Sequence, residues 1–248
     1  MIKIFRRIRY NLMEQNKTSK YLKYAIGEIV LVVIGILIAL SINNWNENRI
    51  ARNKEKLLLK ELNTEFKQNK IEFDSARYYH KRALNSAEYI ISKFPIDVKT
   101  INFDSLGLHS HYMRWYYTFN PSEGITNALS SSSSYDLISN NDLRKTLISW
   151  NDILKDYQEE EILAVSNYKN HLKPYEKKHM VFGWNNYKDF FNDPRIDIRF
   201  LETLEFENYV RDRHFDLKEI LGSETGEMDL VLNTINRIIE LSETEIDD

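Results

Sequence analysis

Apolar positions fall into two regimes: one unbroken run near the start, then a three-four rhythm that recurs to the end of the chain. The run is Ala25 to Ile42, AIGEIVLVVIGILIALSI, and its only charged member is Glu28. As a helix rising 1.5 Å per residue it covers roughly 27 Å, close to the ~30 Å hydrocarbon core of a bilayer. Tyr21 and Tyr24 precede it and Trp45 follows, where amphipathic rings favour the headgroup layer. The competing reading is a buried core helix of a soluble domain, but no second segment of this chain is comparably apolar. The pattern predicts a transmembrane helix.

Beyond it the rhythm is helical. Leu59, Leu62, Phe66, Asn69, Phe73, Ala76, His80, Ala83, Ala87, Ile90 and Phe94 recur at spacings of three and four, the seam of a long helix from about 46 to 94 that Pro95 stops. Asn69 and His80, its polar members, are expected as satisfied core groups. Residues 95–105 read as a loop. Residues 106–119 read as a short aromatic helix, followed by a helix start at Asn120-Pro121-Ser122-Glu123 with Asn120 as its cap. Ser130 to Ser134 read as a solvated turn.

A second long helix, 142–172, carries Leu143, Leu147, Trp150, Leu154, Tyr157, Glu161, Val165, Tyr168 and Leu172, with Glu161 the misfit expected in solvent and Pro174 the stop. Residues 175–198 read as an irregular cover over one end of the bundle. Phe200 to Leu221 is expected to turn Leu204, Phe206, Val210, Leu217 and Leu221 inward. Gly222 and Gly226 bracket a tight connection to a last helix, 227–241. The predicted class is all-α: one N-terminal transmembrane helix continuing into an irregular extramembrane bundle of four to six helices. The expected parts are a basic cytoplasmic tail (1–24), the span (25–42) and an extracytoplasmic helical domain (43–248).

Charge orients the span. Residues 1–24 carry a net charge of +6, with Arg6, Arg7 and Arg9 clustered, whereas residues 43–248 carry −8. The positive-inside tendency places the tail in the cytoplasm and the domain outside. Met1, Phe5, Ile8 and Leu12 share one helical face of the tail, a pattern suited to the anionic inner leaflet. Ala39-Leu40-Ser41 resembles a signal-peptide cleavage site, but the run is long and helical patterning continues past it, which favours an uncleaved signal-anchor. An acidic domain is a poor partner for nucleic acid. The chain has no cysteine, so disulfides and thiolate chemistry are excluded.

Candidate chemistry is sparse, and no catalytic residue, cofactor site or metal is expected. His109-x-His111 has ligand spacing for a strand, but on a helix the two rings diverge and no third ligand is suggested. His171 and His179, near Glu176, read as surface groups, as do Glu159-Glu160-Glu161 and Glu205/Glu207. Within the span, Glu28, Val32, Gly35, Ala39 and Ile42 share one helical face, and Gly35-x-x-x-Ala39 lets another helix approach closely; the alternative is that Glu28 reaches the headgroups and makes no helix contact.

Tyr24-Ala25-Ile26-Gly27-Glu28-Ile29, Ile34-Gly35-Ile36-Leu37-Ile38-Ala39-Leu40 and Ile42-Asn43-Asn44-Trp45-Asn46-Glu47 resemble a family of small single-span membrane proteins of Bacteroidota, a domain of unknown function. Asn141-Asp142-Leu143-Arg144-Lys145 with Trp150 looks similar to the same family. The resemblance implies an envelope protein with a helical domain and supplies no catalytic residues. Asp74-Ser75-Ala76 and Asp104-Ser105-Leu106 look like the tripeptide glycosylated in the periplasm of such bacteria. The sequence therefore points to an inner-membrane interaction or scaffold subunit whose partners are the bilayer, other envelope proteins and a second copy of itself. The alternative is a periplasmic sensory or small-ligand-binding domain with a pocket lined by residues 112–119 and 184–191.

Overall fold

A computed structural model describes residues 10, 18–131, 134–181, 187, 190–222 and 226–247, with backbone alone at 18–21, 24 and 247. Among these, all regular structure is helical. Helix α1 runs Thr18–Ile91, 74 residues without interruption. Residues 1–55 form one compact unit and residues 56–248 a second.

In the second unit the periodic positions of α1 are buried as the rhythm predicts: Leu59, Leu62, Phe66, Asn69, Phe73, Ala76, Ala83, Ala87 and Ile90 are fully enclosed and His80 nearly so. Only Phe94, beyond the last turn, is half-buried. Helix α2, Phe103–Met113, starts inside the expected loop because the Asn102 side chain accepts the Ser105 N–H. It ends before the aromatic run does, and residues 115–123 are non-helical. Helix α3, Gly124–Ser131, therefore begins later than the Asn-Pro signal placed it. Asn120 does not cap it, since its amide donates to Thr118. The cap comes from α1, where Glu65 Oε2 accepts the Ile125 N–H at 3.0 Å. Ser132 and Ser133 lie outside the described residues.

Helix α4, Asn141–Asn167, is capped by Asn140, whose side chain accepts from the Asp142 and Leu143 amides. Pro174 does not stop it. The chain widens into a π-helical turn, Tyr168–Leu172, and runs on as α5, Lys173–His179, with Pro174 in the first turn. There the missing N–H is harmless, and the wide turn absorbs the ring. A 3₁₀ turn, Ile198–Glu202, leads to α6, Leu204–Ile220, which is capped by Thr203 Oγ1. Leu204 is 70 % exposed, contrary to expectation, because the cap places it at the very start of the helix. Gly222 and Gly226 both take φ above +70°, the left-handed conformation that glycine adopts without strain. The last helix, α7, is Glu227–Asp247.

Two apolar clusters result. One joins the 59–76 portion of α1 to α4 and α7, with Phe66 edge-on to Trp150 at 5.2 Å. The other gathers Ala87, Ile90, Leu106, Met113, Tyr168, Tyr175 and Val210. His80 falls between them along α1.

Candidate functional site

Two regions hold residues of possible functional weight, one in each unit. In residues 25–42 the twelve large aliphatic side chains are 47–64 % exposed and none is buried. One helix near the N-terminus is therefore long and apolar enough to cross a membrane, and the reading of the run as a soluble core helix finds no support in the packing. Val32, Gly35, Ala39 and Ile42 lie exposed on it, and a Cβ added at Gly35 would meet nothing within 4 Å. The Ser41 hydroxyl donates back to the Leu37 carbonyl at 2.8 Å, so it presents no unsatisfied donor. Trp45 is exposed, with the Arg49 guanidinium 5.5 Å from its ring centre. The side chains of Tyr21 and Tyr24, and residues Arg6, Arg7 and Arg9, lie outside the described residues.

In the second unit several charged side chains are buried, among them Glu161, which reads as solvated. Glu161 is 1 % exposed. Its Oε1 accepts the Tyr157 hydroxyl at 2.6 Å and stands 3.0 Å from His80 Nε2, while its Oε2 accepts the Phe119 N–H at 2.8 Å. Burial, then the nearby Glu161 carboxylate, pushes the Tyr157 phenol far above its ordinary value, so the O–H stays in place as a donor. Glu176 is equally enclosed and takes Arg114 Nε at 2.9 Å on Oε1. Burial raises its pKa, with Arg114 opposing. The Arg114 guanidinium also lies 4.5 Å from the Phe190 ring centre.

Arg213 on α6 is 2 % exposed. Its Nε and Nη2 donate to the Met113 and Trp115 carbonyls at 3.2 and 2.8 Å, where α2 ends, and Nη1 reaches Ala164 O at 3.5 Å. Burial lowers its pKa to about 10, so it stays charged at neutral pH. Beside it a cleft of about 300 Å³ opens between α6 and the π turn. Asp216 lines this cleft and accepts Asn167 Nδ2 at 3.0 Å. Its pKa is raised, chiefly by burial.

His109 and His111 both sit on α2, where the spacing turns them apart. His109 stacks on Tyr89 at 3.8 Å, and His111 packs edge-on against Trp115. Burial lowers both pKa values, Lys93 adding to the effect at His109, and Arg114 and Arg82 at His111. Those cationic neighbours oppose a metal at either ring, and no group of three or more metal-ligating side chains occurs among the described residues. His171 is exposed and Glu205 solvated, as expected, whereas Glu161 is buried and His179 is half-buried against Tyr175 and Phe200. The aromatic run does not line this cleft: Phe119 is core, while Tyr112 and Trp115 pack around the Arg82 guanidinium at 3.6 and 5.2 Å. Trp184 lies outside the described residues. Ser75 and Ser105 are both helical, and the Ser75 hydroxyl donates to Ile71 O.

Sequence reasoning missed Glu161, Glu176, Arg213 and Asp216. The available signal was position: Tyr157-Glu161-Ala164-Tyr168 and Val210-Arg213-Leu217 keep the seam spacing through the charged residue.

Residues 28–134 match the model of a family of unknown function, DUF6090. The similarity extends well into the helical domain, past the membrane-adjacent motif, and stops before α4. Searches of curated proteins and of solved structures returned no match.

Proposed function

We propose that the chain is a single-pass inner-membrane protein whose basic N-terminal tail faces the cytoplasm and whose helical domain stands in the periplasm. It acts there as an interaction or scaffold subunit of an envelope complex, a second copy of itself included. The observation that carries the reading is the 25–42 stretch, on which every large aliphatic is exposed in a helix that runs on to Ile91. Such a surface is stable in lipid and not in water. The basic tail supports the orientation, and Glu28 with Gly35 and Ala39 supplies a face for a neighbouring helix. No catalytic step is assigned: Glu161, Glu176, Arg114 and Arg213 are engaged in holding the backbone or one another, and Asp216 accepts from Asn167.

The absence of native cysteine makes topology directly testable. A single cysteine at Asn120 should react with an impermeant maleimide from the periplasmic side of spheroplasts, and labelling only after lysis would overturn the orientation. Purification in mild detergent should return a species larger than the monomer, shifted to smaller size by Gly35→Leu or Glu28→Leu. A monomer from native membranes under all conditions would refute the subunit role.

A further inference from the structure

The cleft beside the π turn plays no part in the interaction role, and its lining changes character with depth. At its mouth are Leu163 and Phe215, 54 % and 62 % exposed. Tyr168 and Tyr209 contribute aromatic walls. Asp216 lies deepest of the acids at 9 % exposure, one helical turn from the exposed Asp212 on the same face of α6. Arg213 also borders the cleft, with three of its N–H groups donating to backbone carbonyls and its charge close to Asp216. The Asp216 carboxylate holds a hydrogen bond from Asn167 and the attraction of the Arg213 charge, against which Asp212 and Glu160 add negative field. Asn167 at the end of α4 and Tyr168 and His171 of the π turn line the same wall.

An anion would meet Asp212 and Asp216, two carboxylates against the one Arg213 charge, with the field of Glu160 added. A neutral apolar ligand would leave the carboxylates in excess over the single Arg213 guanidinium beside them. A compact cation on an apolar stem satisfies both parts: its charge meets the carboxylates and the aromatic faces, and its stem covers the exposed Leu163 and Phe215. We propose that this cleft binds a small organic cation, a primary ammonium on an alkyl or aryl stem, with the ammonium on Asp216 and Asp212 and the stem against Phe215 and Leu163. The site does not depend on how the chain is anchored.

The test uses the full chain in lipid nanodiscs with ¹³C-methyl leucine, titrated with n-butylammonium, butan-1-ol and butyrate. n-Butylammonium should shift the Leu163 and Leu172 methyl signals saturably. Butan-1-ol and butyrate should give midpoints at least tenfold weaker, since a charge-assisted hydrogen bond in a partly desolvated site corresponds to roughly tenfold or more in affinity. Asp216→Asn should weaken n-butylammonium about tenfold or more. Should that variant lose its native methyl dispersion, Asp212→Asn and Phe215→Ala carry the test, because both sites are exposed and each change should weaken binding severalfold. Equal midpoints for the alcohol and the ammonium, unchanged affinity in folded variants, or no saturable shift at Leu163 would overturn the assignment.

Discussion

Replacing Glu161 with alanine should destabilise the helical domain by about 4 kcal/mol. The wild-type carboxylate accepts from the Phe119 N–H at 2.8 Å and the Tyr157 O–H at 2.6 Å, and stands 3.0 Å from His80 Nε2. All four residues are at most 1 % exposed. Each buried donor left unmade costs roughly 1–3 kcal/mol, so a simple sum runs from about 3 to about 9. The lower part of that range is expected, because the space vacated by the side chain lets the groups relax and admits water. A solvated glutamate in a helix would instead cost within about 0.5 kcal/mol, so the two readings are well separated. Urea unfolding of the full chain in nanodiscs, followed by the fluorescence of buried Trp150, gives the difference from the shift in midpoint. Tyr157→Phe supplies the coupling: about 1–2 kcal/mol in the wild type, and close to nothing once Glu161 is gone. A loss below about 1 kcal/mol for Glu161→Ala, or additive single changes, would refute the network.

Other expectations follow from the same geometry. Arg213→Met should cost roughly 3–5 kcal/mol by the same assay, because it strands the carbonyls of Met113 and Trp115 where α2 ends. Arg213→Lys should recover only part, since one ammonium cannot span carbonyls on two helices. Leu62→Ala, at a fully enclosed position, should lose about 2–5 kcal/mol, whereas Leu204→Ala at 70 % exposure should stay within about 0.5 of wild type. Asp216 has a folded pKa raised above its ordinary 3.8, so the unfolded chain releases that proton first. Its contribution is therefore most favourable below that value and is lost as pH rises toward the folded pKa. Wild-type stability measured relative to Asp216→Asn should accordingly fall between pH 4 and neutrality, and a rise would contradict the assignment.

The rhythm of apolar residues was enough to place α1, α4, α6 and α7 and most of their inward faces. It failed where two local signals disagreed. At Glu161, three consecutive glutamates announced a solvated face while the spacing from Tyr157 to Ala164 announced the seam, and the seam was right. Pro174 reads locally as a stop, and only a change of helical pitch, invisible in composition, carries the chain through it. Leu204 reads as core until the Thr203 cap fixes where α6 begins.

One physical demand connects two of the buried charges that the sequence concealed, Glu161 and Arg213, with the seam amide Asn69. Residues 115–123 pass between helices without regular structure, so no ladder satisfies their backbone groups. The helices supply the partners from side chains. Arg213 takes the Trp115 carbonyl, and Glu161 takes the Phe119 N–H. Gln158 donates to the Phe119 carbonyl. Asn69 both donates to the Ser122 carbonyl at 2.9 Å and accepts its N–H at 2.8 Å. The donors and acceptors lie 39 to 98 positions away in the chain, so no local window could pair them. A seam position that holds a charged or amide residue is thus a statement about the backbone facing it. In this domain the polar side chain at such a position, charged or amide, holds a strap that has no ladder of its own.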